Sequence, residues 1–219
     1  IFTDCLKDAR IPIEKCSIPG KTRIFSMSPV DYTIDFRIFF YDFIAAFQER
    51  RYNNFNAIGI NYWQEWDSLA RMLNRQPNVC TGDYSNFGPG LNEEIAYRCM
   101  RVILDWYEKF DTNATPEDKL TRECLVEELI NAMHLCQDLV YRVVAGIPSG
   151  SPITVVLNSL VNIVYLFLAW DILSESWPAH LRNFDNFSTN VVLFTYGDDF
   201  IFSVSDLYKD YFNTATISK

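Results

Sequence analysis

The spacing of apolar and polar residues changes period several times along the chain, and each change marks an element. Residues 1–28 look extended and are broken by Pro12, Pro19-Gly20 and Pro29. From Tyr32 to Arg51 an aromatic-rich run reads as a helix. Residues 79–87 read as a short strand ending in a turn at Gly88-Pro89-Gly90. Asn92 stands where a helix N-cap is expected, followed by Ile95, Cys99, Val102, Trp106 and Phe110 at three- and four-residue steps. A further helix is expected from near Pro116 to beyond Leu129, and His134 to Val144 reads as a hairpin around Gln137-Asp138.

The most apolar stretch is 153-ITVVLNSLVNIVYLFLAW-170, close in length to a membrane span. Thr154, Asn158 and Asn162 fall four residues apart, so a helix would carry them as one polar stripe. Two asparagines on one face suit a buried helix facing a site better than a lone span in lipid. Ser151-Pro152 fits the N-cap and first helical position.

Composition narrows the class. Apolar residues make up 49% and charged residues 21%, enough for a sizeable core. The net charge of −9 argues against wholesale nonspecific binding to nucleic acid. That charge is uneven. Residues 1–23 carry Lys7, Arg10, Lys15, Lys21 and Arg23 against Asp4, Asp8 and Glu14, a local excess of basic groups. A basic entry segment beside acidic clusters suits a protein that handles anions through metal ions. Six cysteines without a CxxC pair, and two histidines, make zinc a poor fit and reduced thiols the expected state. No signal peptide is recognisable, which points to a cytosolic setting.

The chemistry concentrates at 191-VVLFTYGDDFIFSV-204. Two β-prone apolar runs flank Gly197, so a hairpin tip would present Asp198 and Asp199. Adjacent carboxylates repel one another unless a divalent cation neutralises them. A partner acid is expected from a neighbouring strand end, and Asp83 has that position. Taken alone, Asp83 is an ordinary turn residue. Together, three acids could hold two ions about 3.5–4 Å apart around an in-line phosphoryl displacement. The loop 146-GIPSG-150 leads into a helix N-terminus and could meet a phosphate or ribose, with Thr154 and Asn158 one turn apart behind it. By itself that loop is more simply a capped helix.

In combination these segments resemble the RNA-dependent RNA polymerases of picorna-like positive-strand RNA viruses. Lys7-Asp8 through 20-GKTR-23 resembles the basic fingers motif, and 82-GDYSNF-87 resembles motif A. Segments 37-RIFFYDFIAAF-47 and 58-IGINYWQEW-66 resemble the lead into the palm. Ser149-Gly150, Thr154 and Asn158 match the SG-x3-T-x3-N spacing of motif B, and Tyr196-Gly197-Asp198-Asp199 matches motif C. GDYxNFGPG is similar to the iflavirus-like branch. The resemblance spans nearly the whole chain.

It implies an α+β polymerase palm, an antiparallel sheet with the GDD hairpin packed on helices, with partial fingers and no thumb. Residues 1–30 would be partial fingers and residues 31–219 the palm, with a small fingers insertion near 126–146. Asp83, Asp198 and Asp199 would bind Mg²⁺, or Mn²⁺, and carry catalysis. Lys15 or Lys21 with Arg23 would hold the incoming triphosphate. Ser149, Gly150, Thr154 and Asn158 would complete nucleotide binding, the last two sensing the ribose 2′-hydroxyl. Implied partners are RNA template and primer, nucleoside triphosphates and other viral replication proteins, with no transmembrane segment. The implied setting is the host cytoplasm, within membrane-associated replication complexes.

The chain departs from the family pattern in places. Gly88 stands where a second motif A aspartate is usual, and Lys209 and Lys219 are poor candidates for the general-acid lysine. Beginning at Ile1 and lacking a recognisable primer grip, the chain reads as a piece of a polymerase. A reverse transcriptase or another palm-type nucleotidyltransferase is the alternative within the class. A non-catalytic module derived from a polymerase is the alternative outside it.

Overall fold

The computed structural model describes residues 1–143 and 146–218. In chain order the elements are β1 (Phe2–Leu6), β2 (Ile24–Met27), α1 (Val30–Glu49), α2 (Tyr62–Leu73), β3 (Asn78–Gly82), α3 (Phe87–Gly90), α4 (Glu93–Phe110) and α5 (Pro116–Ile130). There follow β4 (Met133–Cys136), β5 (Leu139–Arg142), α6 (Thr154–Ser174), α7 (Asp185–Asn190), β6 (Val191–Tyr196), β7 (Asp199–Val204) and α8 (Thr214–Ile217). Two compact units share them. The first takes Ile1–Phe43 with Asn86–Thr154, and the second Ile44–Ser85 with Val155–Lys219.

The first unit is built on a four-stranded sheet of order β2-β1-β4-β5, in which only β1 and β4 run parallel. Aromatic residues at four-residue steps on α1 supply its core. Phe36 and Phe40 stack at 4.4 Å between centroids, and Phe40 meets Tyr107 of α4 edge-on. The cap expected at Asn92 is present, and a second cap forms at the start of α5. The Asn92 side chain accepts from the Ile95 N–H, and Thr115 with Asp118 forms a capping box ahead of Pro116. The buried face of α4 differs from the expected one. Ala96, Met100, Ile103, Leu104 and Tyr107 are buried with Cys99, whereas Val102 and Phe110 are 59% and 57% exposed. The expected row runs beside the true one, and shares Cys99 with it. The β4–β5 hairpin forms as expected, with Gln137 at φ 58° in its turn; Val144 lies outside the described residues.

The second unit holds the sheet β3-β7-β6, antiparallel throughout. Its core is aromatic: Trp170 of α6 packs against Trp177, Phe187, Tyr208 and Phe212. Burial of such rings is worth about 25 cal/mol per Å² of apolar surface removed from water. Helix α6 is long and apolar enough to cross a membrane, with mean hydropathy 1.8, but Val161, Leu166 and Trp170 are at most 1% exposed within this protein core. Two boundaries fall elsewhere than expected. Strand β3 ends at Gly82, and Gly88-Pro89-Gly90 belong to the single turn of helix α3. Helix α6 begins at Thr154. Ser151 sits in the preceding turn, its carbonyl accepting the Thr154 N–H and its buried hydroxyl without a partner, so it does not cap the helix.

Candidate active site

The β6–β7 hairpin places two of the three acids. Its strands pair from Val191↔Val204 to Tyr196↔Asp199, leaving Gly197 and Asp198 as a two-residue turn. Gly197 has φ +63°, a left-handed conformation that glycine adopts without strain. Asp198 is therefore at the tip and Asp199 opens β7. On the other side of β7, β3 pairs Gly82 with Phe200. Antiparallel register then sets Asp83, the next residue, beside Asp199. This approach requires Gly82, because a Cβ there would lie 2.1 Å from the Phe200 ring.

The carboxylates sense one another. Lost solvation first, then the negative charges of Asp198 and Asp83, raise the Asp199 carboxyl above the usual carboxylate range. Nothing basic offsets this repulsion among the causes of the shift. Among the described residues no three or more His, Cys, Asp or Glu side chains are grouped so that they could hold an ion by themselves. The donor chemistry nevertheless suits Mg²⁺. That ion takes one or two carboxylates and fills its shell with water and substrate phosphate instead of an all-protein cage.

Helix α6 supports the turn from behind. Ser159 Oγ accepts the Gly197 N–H at 2.7 Å. The Asn162 side-chain amide lies 3.1, 3.0 and 3.2 Å from the carbonyl oxygens of Gly197, Asp198 and Asp199. Tyr84, the residue after Asp83, donates its hydroxyl to Asn162 Oδ1 at 3.1 Å. One turn N-terminal to Asn162, the Asn158 side-chain oxygen is buried with no hydrogen-bond partner. A buried acceptor left empty costs about 1–3 kcal/mol and is suited to an incoming hydroxyl.

The remaining candidate residues lie in the first unit. Ser149 Oγ accepts the Ser26 N–H at 3.2 Å, and the Gly150 N–H donates to the Ser26 carbonyl at 2.9 Å, docking the Ser-Gly loop on β2. The Thr154 hydroxyl is 2.9 Å from the carbonyls of both Pro148 and Ser151. It thus closes the loop on itself. Lys15 ends a 3₁₀ turn, while Lys21 and Arg23 occupy the loop before β2. All three are exposed, and none makes an ion pair among the described residues.

The sequence model for the family described as viral RNA-dependent RNA polymerase matches residues 1–218. The chain belongs to that family. It is 46% identical over 223 aligned positions to the genome polyprotein of Deformed wing virus, an iflavirus, covering all of this chain and 8% of that polyprotein. It is 35% identical to the replicase polyprotein of Acute bee paralysis virus (strain Rothamsted), again over its whole length and 12% of the relative. Among solved structures, a Sicinivirus 3Dpol RNA-dependent RNA polymerase superimposes with a TM-score of 0.77 at 21% identity, covering 99% of this chain and 42% of that one. The α+β polymerase fold is thereby established for a chain that spans a small part of the polyproteins it matches.

Sequence reasoning left Asn162 and Tyr84 without a role. Their signal was present in part: Asn162 continues the stripe of Thr154 and Asn158, and Tyr84 directly follows Asp83. Lys209 stands near Asp206 at 3.4 Å on the surface, and Lys219 is outside the described residues.

Proposed function

We propose that this chain carries the palm and part of the fingers of an RNA-directed RNA polymerase, and that the whole enzyme transfers nucleotides from triphosphates to an RNA 3′-hydroxyl. The observation that carries the reading is the register that sets Asp83 beside the Asp198–Asp199 turn. Asp83 and Asp198 would hold Mg²⁺, or Mn²⁺, with Asp199 assisting. When bound, such ions acidify the attacking hydroxyl and neutralise the triphosphate and the departing pyrophosphate.

The chain's own residues position the reactants. Arg23, with Lys15 or Lys21, holds the triphosphate, the guanidinium offering two parallel donors to phosphate oxygens. Ser149 and Gly150 form the loop that meets template and nucleotide. Asn158, whose buried oxygen lacks a donor, receives the ribose 2′-hydroxyl, the group that separates RNA from DNA. Thr154 shapes the loop that presents this site. Gly88 offers no side chain, so sugar selection rests on Asn158 and Thr154. Residues 1–30 act as partial fingers and 31–219 as palm, with a fingers insertion near 126–146. The partners are RNA template and primer and other viral replication proteins, in membrane-associated complexes of the host cytoplasm.

Asp198→Ala in the intact polymerase should abolish primer extension on an RNA template; extension at a near-normal rate would refute the assignment. Ribonucleotides should be strongly preferred over deoxynucleotides. The opposite preference would identify a reverse transcriptase.

A further inference from the structure

We propose that Asn162 and Tyr84 are positioning residues for the catalytic carboxylates, a single brace that sets the hairpin turn and the β3 end at one spacing. This rests on the polymerase reading above. Asn162 is fully buried on α6, and its side-chain NH₂ faces three consecutive carbonyls, those of Gly197, Asp198 and Asp199. With two hydrogens for three acceptors, the turn must curl around the amide. Any rotation of the Asp198 or Asp199 peptide that redirected a carboxylate would break one of these contacts. The Ser159 hydroxyl holds the same turn by its Gly197 N–H.

The other end of the carboxamide reaches the second strand. Asn162 Oδ1 accepts from Tyr84, and Tyr84 adjoins Asp83. The Tyr84 ring is itself held, edge-on to Phe200 at 5.6 Å and tilted to Tyr165 at 6.2 Å. One planar group thus touches the backbone of two acids and the neighbour of the third. Aspartate has the same shape but loses both donors and adds a charge facing three carbonyls. Leucine would leave the three carbonyls bare. Asparagine alone both donates to the turn and accepts from the tyrosine.

A brace that only stabilised the fold would leave metal affinity unchanged, whereas one that sets carboxylate spacing would not. Residues that orient metal ligands typically contribute 10–100-fold in metal affinity or activity. The test is a titration of Mn²⁺ into the intact polymerase bound to primer–template RNA, followed by water proton relaxation, for wild type, Tyr84→Phe and Asn162→Asp. Tyr84→Phe keeps the ring and removes only the hydroxyl, so it should fold. Its half-saturating Mn²⁺ should rise about 10-fold while the protein still melts cooperatively, and Asn162→Asp should shift it further. Wild-type Mn²⁺ affinity in a folded Tyr84→Phe protein overturns the proposal even if Asn162→Asp does not fold. Asp198→Ala in parallel separates the two claims. If it binds and extends normally, the active-site reading fails; if it is inert while Tyr84→Phe is unaffected, only the brace fails.

Discussion

Two polar arrangements, one in each unit, treat a carboxylate in opposite ways. In the first unit the Asp4 side chain is 1% exposed and accepts from Ser26 Oγ at 2.6 Å, from His134 Nδ1 at 2.9 Å and from the Tyr141 hydroxyl. Burial alone would raise its pKa, but three donors outweigh burial and the carboxyl ends below the usual range. In the second unit Asp199 has acidic neighbours and ends above it. The backbone around Asp199 is well satisfied, by Asn162 and Ser159, while the carboxylates are left to repel. Asp4 is finished by the protein. Asp199 instead faces the like charges of Asp83 and Asp198, the arrangement proposed above to hold a cation.

Asp4→Ala should test the finished arrangement most severely. It leaves the buried Ser26 and His134 donors and the half-buried Tyr141 hydroxyl without their acceptor, at a cost of about 3 kcal/mol. Urea denaturation measures it; a loss below about 1 kcal/mol would mean that water replaces the carboxylate. Because Ser26 also docks the Ser149–Gly150 loop, nucleotide KM should rise in the same variant.

Gly82→Ala probes the close approach between β3 and β7. The added methyl would overlap the Phe200 ring, and overpacking of this kind costs roughly 1–3 kcal/mol. The thermal midpoint should fall and primer extension with it, because Asp83 moves relative to Asp199. A fully active, stable variant would show the register to be looser than described.

The two acids should respond to pH with opposite signs. Asp4 has a lowered folded pKa, so its contribution is present above about pH 3.9 and is lost as pH falls through the folded value. Asp199 has a raised folded pKa, so its contribution is present below about pH 3.9 and is lost as pH rises through the folded value. The stability gap between wild type and Asp4→Asn should therefore close on acidification. Without metal, Asp199→Asn should gain on wild type as pH rises towards neutrality. That gain is the smallest effect, a few tenths of a kcal/mol for an exposed, screened group. Added Mg²⁺ should stabilise wild type more than Asp199→Asn. Equal stabilisation of both proteins would show that Asp199 does not assist in holding the ion.

Much of the fold was legible because its signals are local. Period, capping and turn chemistry reside in a few neighbouring residues, which is why α1, α4, α5, the Gln137 hairpin and the Gly197 turn lie where the sequence places them. The segment of membrane-span length is a core helix, in keeping with the polar stripe it carries: Asn162 binds the hairpin turn. Errors arose where a neighbour decides the outcome. The buried row of α4 is chosen by what packs against it, and the end of β3 by its pairing with β7.

By itself, then, the sequence determined which acids are the candidates for the chemistry and which turn presents two of them, because a glycine-centred hairpin and a motif spacing are properties of contiguous residues. Tertiary structure alone decided that Asp83 stands beside Asp199, that Asn162 and Tyr84 brace them, and that Asp4 is silent. Those outcomes depend on register and burial between segments tens of residues apart, where the free energy of an ion or an amide is set by whatever else the fold brings within a few ångströms.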